Sequence, residues 1–368
     1  MKILLLNECS NLHTTLARGL KQLGHQVTTV SGGNGWRNFP RDISIVRHSS
    51  SHFDGLRYIF QLYRTIQKFK GYDVVQINNP IFFDIKAERL FFIYDYLRKH
   101  NRSIFLGAFG TDHYWVKRCV EDKPLRYSDH NIGDVLRTDR DAVIDQKEWL
   151  GTEKERLNQY IAETCNGIIP CLYEYWVCYQ PLFPDKTQYI PLPIDTLVND
   201  TGVTTIPERV KVFIGIDKDR NSYKGTDIML QAAEHLLKKY PSKMEIFKAE
   251  SVPFAQYQHM MDDSDVILDQ LYSYTPAMNA LLAMSKGIVV VGGGEPENYE
   301  IIHEEELRPI INVQPNYESV YHELEQLILH PERIPELKRQ SLEYIKRHHD
   351  YIKVAREYEQ MYLDSLSQ

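Results

Sequence analysis

Residues 273–300, SYTPAMNALLAMSKGIVVVGGGEPENYE, change character three times within one short stretch. Thr275-Pro276 reads as a helix start, because a Thr hydroxyl accepts from the unpaired amides of a first turn and Pro is tolerated at the first helical position. Met278, Leu281, Leu282 and Met284 follow at helical spacing, and Lys286-Gly287 closes the helix with a cation and a C-terminal glycine. Residues 288–291, IVVV, are too few and too β-branched for a helix and predict a buried parallel strand. Gly292, Gly293 and Gly294 then fall at the strand's C-terminal end, the edge at which open α/β sheets bind ligands. The N–H groups of a helix start suit an anion. The competing reading is an ordinary αβ unit whose glycines only make a turn.

The rest of the chain repeats this alternation. "KILLLNECSNLHTTLARGLKQLGHQVTTV" gives a strand, a polar loop, a helix with Leu12, Leu16, Leu20 and Leu23 on one face, and a second strand. "YDVVQINN" and "SIFLGAFGTD" are further strands, each preceded by a helical segment (53–69 and 85–100), so the sheet is parallel and covered on both faces. Residues 114–148 are polar and irregular and predict an insertion over the sheet's edge. "YIPLPIDTLVND" and the polar run after it break the rhythm as a linker. A new αβ series starts at "VKVFIGI", runs through the opening stretch and ends in a long helical tail. The expected organisation is a first domain at 1–195, a second at 196–345, and a terminal helix at 346–368 whose Tyr- and Leu-bearing face needs cover on the first domain.

Composition narrows the class. The 368 residues are 43% hydrophobic and 25% charged, with net charge -7 and pI ≈ 6.1, so no basic field invites nucleic acid. Five cysteines without CxxC spacing predict thiols in a reducing compartment, hence a cytoplasmic location. Met1-Lys2 leads into four apolar residues, a first strand rather than a targeting segment, and no apolar run approaches the ~20 residues of a membrane span. No Asp-x-Asp pair points to a metal; Asp262-Asp263-x-Asp265 sits at a helix end and reads as capping and solvated.

In its order of segments the chain resembles a retaining nucleotide-sugar glycosyltransferase of the two-domain GT-B type, in the manner of glycosyltransferase family 4. "GHQV" resembles the family's second-strand entry, "GAFGTDH" its GSD or GTD turn, "YIPLPID" its IPNPID handover, "DRNSYKGTDIMLQAAEHL" its R…KG segment, and residues 265–297 its D…EAM…GG region. The resemblance implies two Rossmann-like domains facing across a cleft, with the C-terminal helix returning to the first. It implies transfer of a sugar from a UDP- or GDP-sugar, with no resident cofactor or metal, to a glycan or lipid-linked acceptor. Peripheral contact with the inner membrane surface accompanies such an acceptor. Arg220 and Lys224, ahead of Gly225, are placed on the donor diphosphate together with the amides around Thr275, Met278 and Asn279. Asp112 and His113 are placed at the transferred sugar or the acceptor hydroxyl, although Asp112 reads equally well as a turn residue capping the next segment.

One departure matters. The family's Glu-x7-Glu falls on Tyr274 and Leu282, neither of them acidic. Glu295 and Glu297, directly after Gly293 and Gly294, are the candidates to reach the ribose or the sugar, with Asn279 behind them. A catalytically silent GT-B binding subunit and a non-hydrolysing nucleotide-sugar epimerase are the alternatives.

Overall fold

The computed structural model describes residues 1–33, 38–195, 205–218, 220–250 and 252–367, so the centre of the expected linker lies outside the described residues. From the amino terminus the elements are β1 (Lys2–Leu6), α1 (Leu12–Gln22), β2 (Gln26–Ser31), β3 (Ile43–Ser44), α2 (His52–Ile66), β4 (Val74–Ile77), α3 (Ala87–His100), β5 (Ser103–Ala108) and α4 (His113–Glu121). A hairpin of β6 (Asn131–Ile132) and β7 (Val135–Leu136) follows, then α5 (Arg140–Trp149), α6 (Glu153–Thr164), β8 (Gly167–Pro170) and α7 (Tyr173–Tyr179). The second series holds β9 (Val210–Ile216), α8 (Asn221–Lys224), α9 (Thr226–Lys239), β10 (Met244–Glu250), α10 (Phe254–Asp262) and β11 (Val266–Leu268). It closes with α11 (Met278–Ser285), β12 (Val289–Gly292), α12 (Pro296–Ile301), β13 (Ile311–Asn312), α13 (Tyr317–Leu329), α14 (Ile334–Tyr344) and α15 (Tyr351–Ser367).

Two compact units result. The first is Met1–Asp122, Asp145–Pro193 and Tyr351–Gln368, and the second is Lys123–Ile144 and Ile194–Asp350. Residues 123–144, counted with the first domain from sequence order, belong to the second unit. The tail breaks later than 345: a π-helical turn at Ile345–His349 ends at Asp350, whose extended backbone (ψ 122) pairs with Ile194.

The first unit's sheet has the order β3-β2-β1-β4-β5-β8, all parallel. Its central strands are buried along their whole length, as Val74–Ile77 and Ser103–Ala108 illustrate, which is why they read as unbroken apolar runs. The second sheet, β10-β9-β11-β12-β13, is also parallel. These are the two common doubly wound orders, and each has one point where the strand order reverses, between β1 and β4 in the first and between β9 and β11 in the second.

The terminal helix returns to the first unit as expected. A Cβ on Gly19 would lie 2.6 Å from the Tyr351 carbonyl, so only glycine lets α15 approach α1 this closely. Gln22 donates to the Tyr351 hydroxyl at 2.8 Å, and His25 meets Glu359 at 2.7 Å. Inside the unit, the Tyr362 hydroxyl donates to Gln76 at 2.5 Å, Gln76 donates to His13 Nε2 at 3.0 Å, and His13 Nδ1–H donates to the Asn7 carbonyl at 2.7 Å. Burial lowers His13 to about 4, so this relay runs through a neutral imidazole. His13, in the first turn of α1, is a tie between α15, the sheet and the loop after β1.

Candidate functional site

The reversal point of the second sheet brings together residues 217–225 after β9 and 269–277 after β11. The two loops touch: the Leu271 amide donates to the Lys224 carbonyl at 3.0 Å, and a Cβ on Gly225 would meet Leu271 Cβ at 2.6 Å. Gly225, at φ 71, both ends α8 and starts α9, a left-handed backbone that costs glycine nothing. Arg220 opens α8, with 44% of its side chain exposed; its Nε lies 3.3 Å from Asp141 and its guanidinium 4.8 Å over the Tyr223 ring. Lys224 closes α8.

Opposite them, at the end of β11, Asp269 is buried and accepts from Asn279 Nδ2 at 2.8 Å, while Asn279 Oδ1 accepts from the Tyr257 hydroxyl at 2.9 Å. Burial pushes the Asp269 carboxyl up, against the Asn279 hydrogen bond and the Lys224 ammonium, which favour its ionised form. Asn279 is therefore a partner of Asp269. Asp269 itself carries no motif and was not anticipated.

Helix α11 starts at Met278, not at Thr275-Pro276. The chain stays non-helical through Pro276 and is still extended at Ala277 (φ -87, ψ -179), the N-cap residue, before it turns helical. Thr275 is buried, its carbonyl accepting from the Ser273 hydroxyl at 2.6 Å. The N-cap residue Ala277 offers no side-chain acceptor to the first turn of α11, and no acidic residue lies in that turn.

The glycine run has a steric reason within the chain. A Cβ on Gly293 would stand 2.2 Å from the Ser273 carbonyl oxygen, and one on Gly294 would stand 2.8 Å from Ile310 Cγ2. The close approach that glycine permits is that of the 269–277 loop to the end of β12. The Gly294 N–H donates to Asn312 at 3.0 Å.

Residues 123–144 are stapled to this same edge. The Tyr274 hydroxyl accepts from the Arg126 amide at 2.7 Å, and the Arg126 guanidinium lies 4.8 Å over the Tyr274 ring. Arg126 also holds Glu297 with both nitrogens (2.5 and 3.1 Å) and Glu295 at 2.8 Å. Glu295 is buried and accepts in addition from the Tyr127 hydroxyl at 2.5 Å and Gln314 at 2.8 Å. Burial pushes the Glu295 carboxyl up, but the donors Tyr127, Asn312 and Gln314 and the Arg126 charge outweigh it and hold the group below its usual range. Further along, the buried Arg137 donates to Asp139 (2.9 Å), to the Ser222 and Tyr223 carbonyls (2.9 and 3.0 Å) and to the Ser128 carbonyl (3.3 Å). Its guanidinium lies 3.6 Å over the Tyr272 ring. One segment thus braces both loops of the reversal point. Arg126, Tyr127 and Arg137 were missed because the segment reads as irregular and lies far from its partners in sequence.

The first unit is arranged differently. At its reversal point the Glu8 carboxylate accepts from the Cys9, His13 and Thr14 amides (2.8, 3.2 and 2.9 Å) and the Thr14 hydroxyl (2.6 Å). The amino end of α1 is already occupied by the chain's own acid.

Asp112 and His113, expected at the transferred sugar, are packed inside this unit. Asp112 is the N-cap of α4 and 0% exposed; it accepts from the Trp115 amide at 2.9 Å and the Tyr179 hydroxyl at 2.8 Å. His113, equally buried, has Nδ1 3.1 Å from the Trp149 carbonyl, and burial lowers its pKa although Glu155 stands 3.7 Å away. The capping alternative describes Asp112. Burial raises Asp112 to about 6 from an ordinary 3.8, so its favourable contribution is complete below 3.8 and is lost as pH rises through about 6. Asp112→Asn keeps an acceptor at the cap and removes that penalty. Urea melts should show it more stable than the parent at neutral pH, by at most about 3 kcal/mol, with the gain vanishing in acid. A folded variant without that pH-dependent gain would contradict the capping role.

The acidic run near α10 is also structural. Asp262 pairs with Lys286, and Asp265 accepts from the Lys211 amide at 3.0 Å and Lys338 at 2.7 Å. Among the described residues, no group of three or more His, Cys, Asp or Glu is placed to hold a metal ion.

No protein-family model and no curated protein sequence matches the chain. Solved structures match it over its whole length. A sucrose-phosphate synthase from Thermosynechococcus elongatus aligns with a TM-score of 0.65 at 13% identity, covering 100% of both chains. Anabaena HepE in complex with UDP-glucose gives 0.58 at 11% identity, over 100% of this chain and 99% of that one. The catalytic domain of Arabidopsis thaliana starch synthase IV, bound to ADP and acarbose, gives 0.58 at 11% identity over 100% of both. The fold is that of GT-B glycosyltransferases: two parallel Rossmann-like sheets, each with its own reversal point.

Proposed function

We propose that the protein is a glycosyltransferase that moves a sugar from a UDP- or GDP-sugar to a glycan or lipid-linked acceptor with retention, in glycoconjugate synthesis on the cytoplasmic side of the membrane. The observation that carries this is the asymmetry of the two reversal points. In the first unit the loop acid Glu8 accepts from the helix amides, whereas in the second the loop acid Asp269 accepts from the Asn279 side chain and the start of α11 stands with Arg220 and Lys224 at one edge. Two cations and a helix amino end suit a diphosphate, and structural neighbours are described with UDP, UDP-glucose and ADP.

In the proposed reaction the acceptor oxygen forms a bond to the anomeric carbon as the carbon–diphosphate bond breaks on the same face. The acceptor's proton passes to the departing diphosphate oxygen, and the leaving group's charge rests on Arg220, Lys224 and the α11 amides. No protein nucleophile and no resident cofactor or metal enters this scheme.

Of the two carboxylates proposed for the ribose or sugar, Glu295 is enclosed by Tyr127, Arg126 and Gln314. Glu297 meets solvent beside a 54% exposed Arg126. Glu297 is the one a ligand hydroxyl would engage. Glu297→Gln should lower donor affinity about tenfold, near 1.4 kcal/mol, without moving the melting temperature. Glu295→Gln should act through stability instead. A screen of UDP-, GDP- and TDP-sugars by thermal shift, followed by nucleotide release, tests the whole reading. A silent binding subunit, which Tyr274 and Leu282 at the two acidic positions favour, would bind a donor and release nothing. Failure to bind any of these donors would overturn the proposal.

A further inference from the structure

Helix α2 carries two apolar faces. Tyr58, Leu62 and Ile66 enter the core, as an amphipathic helix requires. Phe53, Leu56 and Phe60, 81%, 68% and 70% exposed, line the opposite face at i, i+3 and i+7. Tyr63 continues that line and contacts the ring of Phe92 on α3, itself 61% exposed, at 6.2 Å between centroids. Single exposed apolar residues are ordinary, but a contiguous aromatic stripe across two helices is a contact surface.

The charge around the stripe says what it contacts. Arg57 and Arg64 flank it on α2, and Lys68 and Lys70 follow, all exposed, against Asp54 in the same stretch; on α3 the exposed Glu88 and Asp95 beside Phe92 are matched by the exposed Arg89 and Arg98. This local excess of cations sits in a chain of net charge -7. Aromatic and Leu side chains on one face, edged by Arg and Lys, are the pattern of a helix lying in the interface of an anionic bilayer. A second copy of the chain fits less well, because a two-fold contact would press this cation-rich face against an identical one. Among the described residues no helix is long and apolar enough to cross a membrane.

We propose that the α2–α3 face seats the protein on an anionic lipid surface, with Phe53, Leu56, Phe60 and Phe92 entering the interface and Arg57, Arg64, Lys68 and Lys70 meeting the headgroups. The inference deepens the reading of a lipid-linked acceptor and rests on it for its purpose, while its geometry is independent of donor chemistry.

Flotation of the full chain with phosphatidylcholine vesicles, with and without phosphatidylglycerol, tests it. The protein should partition at least about tenfold more strongly onto the anionic vesicles. Phe53→Ser/Phe60→Ser and Arg57→Glu/Arg64→Glu should each remove that gain, and circular dichroism should show both variants folded, since the positions are exposed. Absence of flotation, or equal flotation of both double variants, overturns the proposal. So does a dimer in sedimentation that dissolves in the Phe double variant without any vesicle binding. Donor binding measured in parallel separates the two readings, because failure of the transferase proposal leaves flotation intact.

Discussion

Replacing Arg137 with alanine is expected to destabilise the second unit by about 3–5 kcal/mol, the usual cost of leaving one member of a buried ion pair alone. The guanidinium is enclosed, pairs with Asp139 at 2.9 Å, bonds the carbonyls of Ser222, Tyr223 and Ser128, and stacks on Tyr272. Its loss strands the Asp139 carboxylate and leaves three carbonyls short of a donor. Calorimetry should place the variant's transition lower by on the order of 10 °C. Arg137→Lys should recover little, since a point charge neither forks between carbonyls nor stacks on the ring in the same way. Because two of those carbonyls, Ser222 and Tyr223, belong to α8, donor affinity should fall along with stability. An unchanged transition in Arg137→Ala would remove residues 123–144 from their role as a brace.

The second large effect concerns the cations themselves. Arg220→Ala and Lys224→Ala should each lower nucleotide-sugar affinity by about tenfold or more, from a charge-assisted contact of about 1.5–3 kcal/mol. Arg220 should fall at the low end, because nearly half its side chain is exposed and water screens it. Lys224, half-buried beside Asp269, should show the greater loss. The double variant should approach a hundredfold if the two act on one diphosphate without coupling, about 2.8 kcal/mol. Neither substitution should disturb folding as Arg137→Ala does. Titration calorimetry with UDP and UDP-glucose checks both, and unchanged affinity in the two single variants would refute the assignment.

Much of this was legible in the sequence, for physical reasons. Strands buried on both faces appear as short branched runs such as residues 289–291, and helices as leucine rows such as Leu12, Leu16 and Leu20, so both sheets could be read off locally. Arg220 and Lys224 were singled out by the resemblance of residues 219–236 to an R…KG segment, and the structure places them at the two ends of α8. Asp112 and His113 were not separable from ligand residues, since a cap and a catalytic acid occupy the same strand end; only burial tells them apart. The glycine run after β12 was recognised as a close approach, but its partner, the Ser273 carbonyl, lies in another loop. Arg126, Tyr127, Arg137 and Asp269 stayed hidden because their meaning is set by neighbours distant in sequence. The start of α11 at Met278 was not legible, because an extended residue before Pro276 suits an N-cap at Thr275 as well as it suits the observed loop.

In the proposed reaction the second unit, and not the first, holds the donor diphosphate. A crystal of the full chain grown with UDP should therefore show the diphosphate beside Arg220 and Lys224, at the amino end of α11. A diphosphate on the amides of α1 in place of Glu8, or UDP bound away from Arg220 and Lys224, would contradict it.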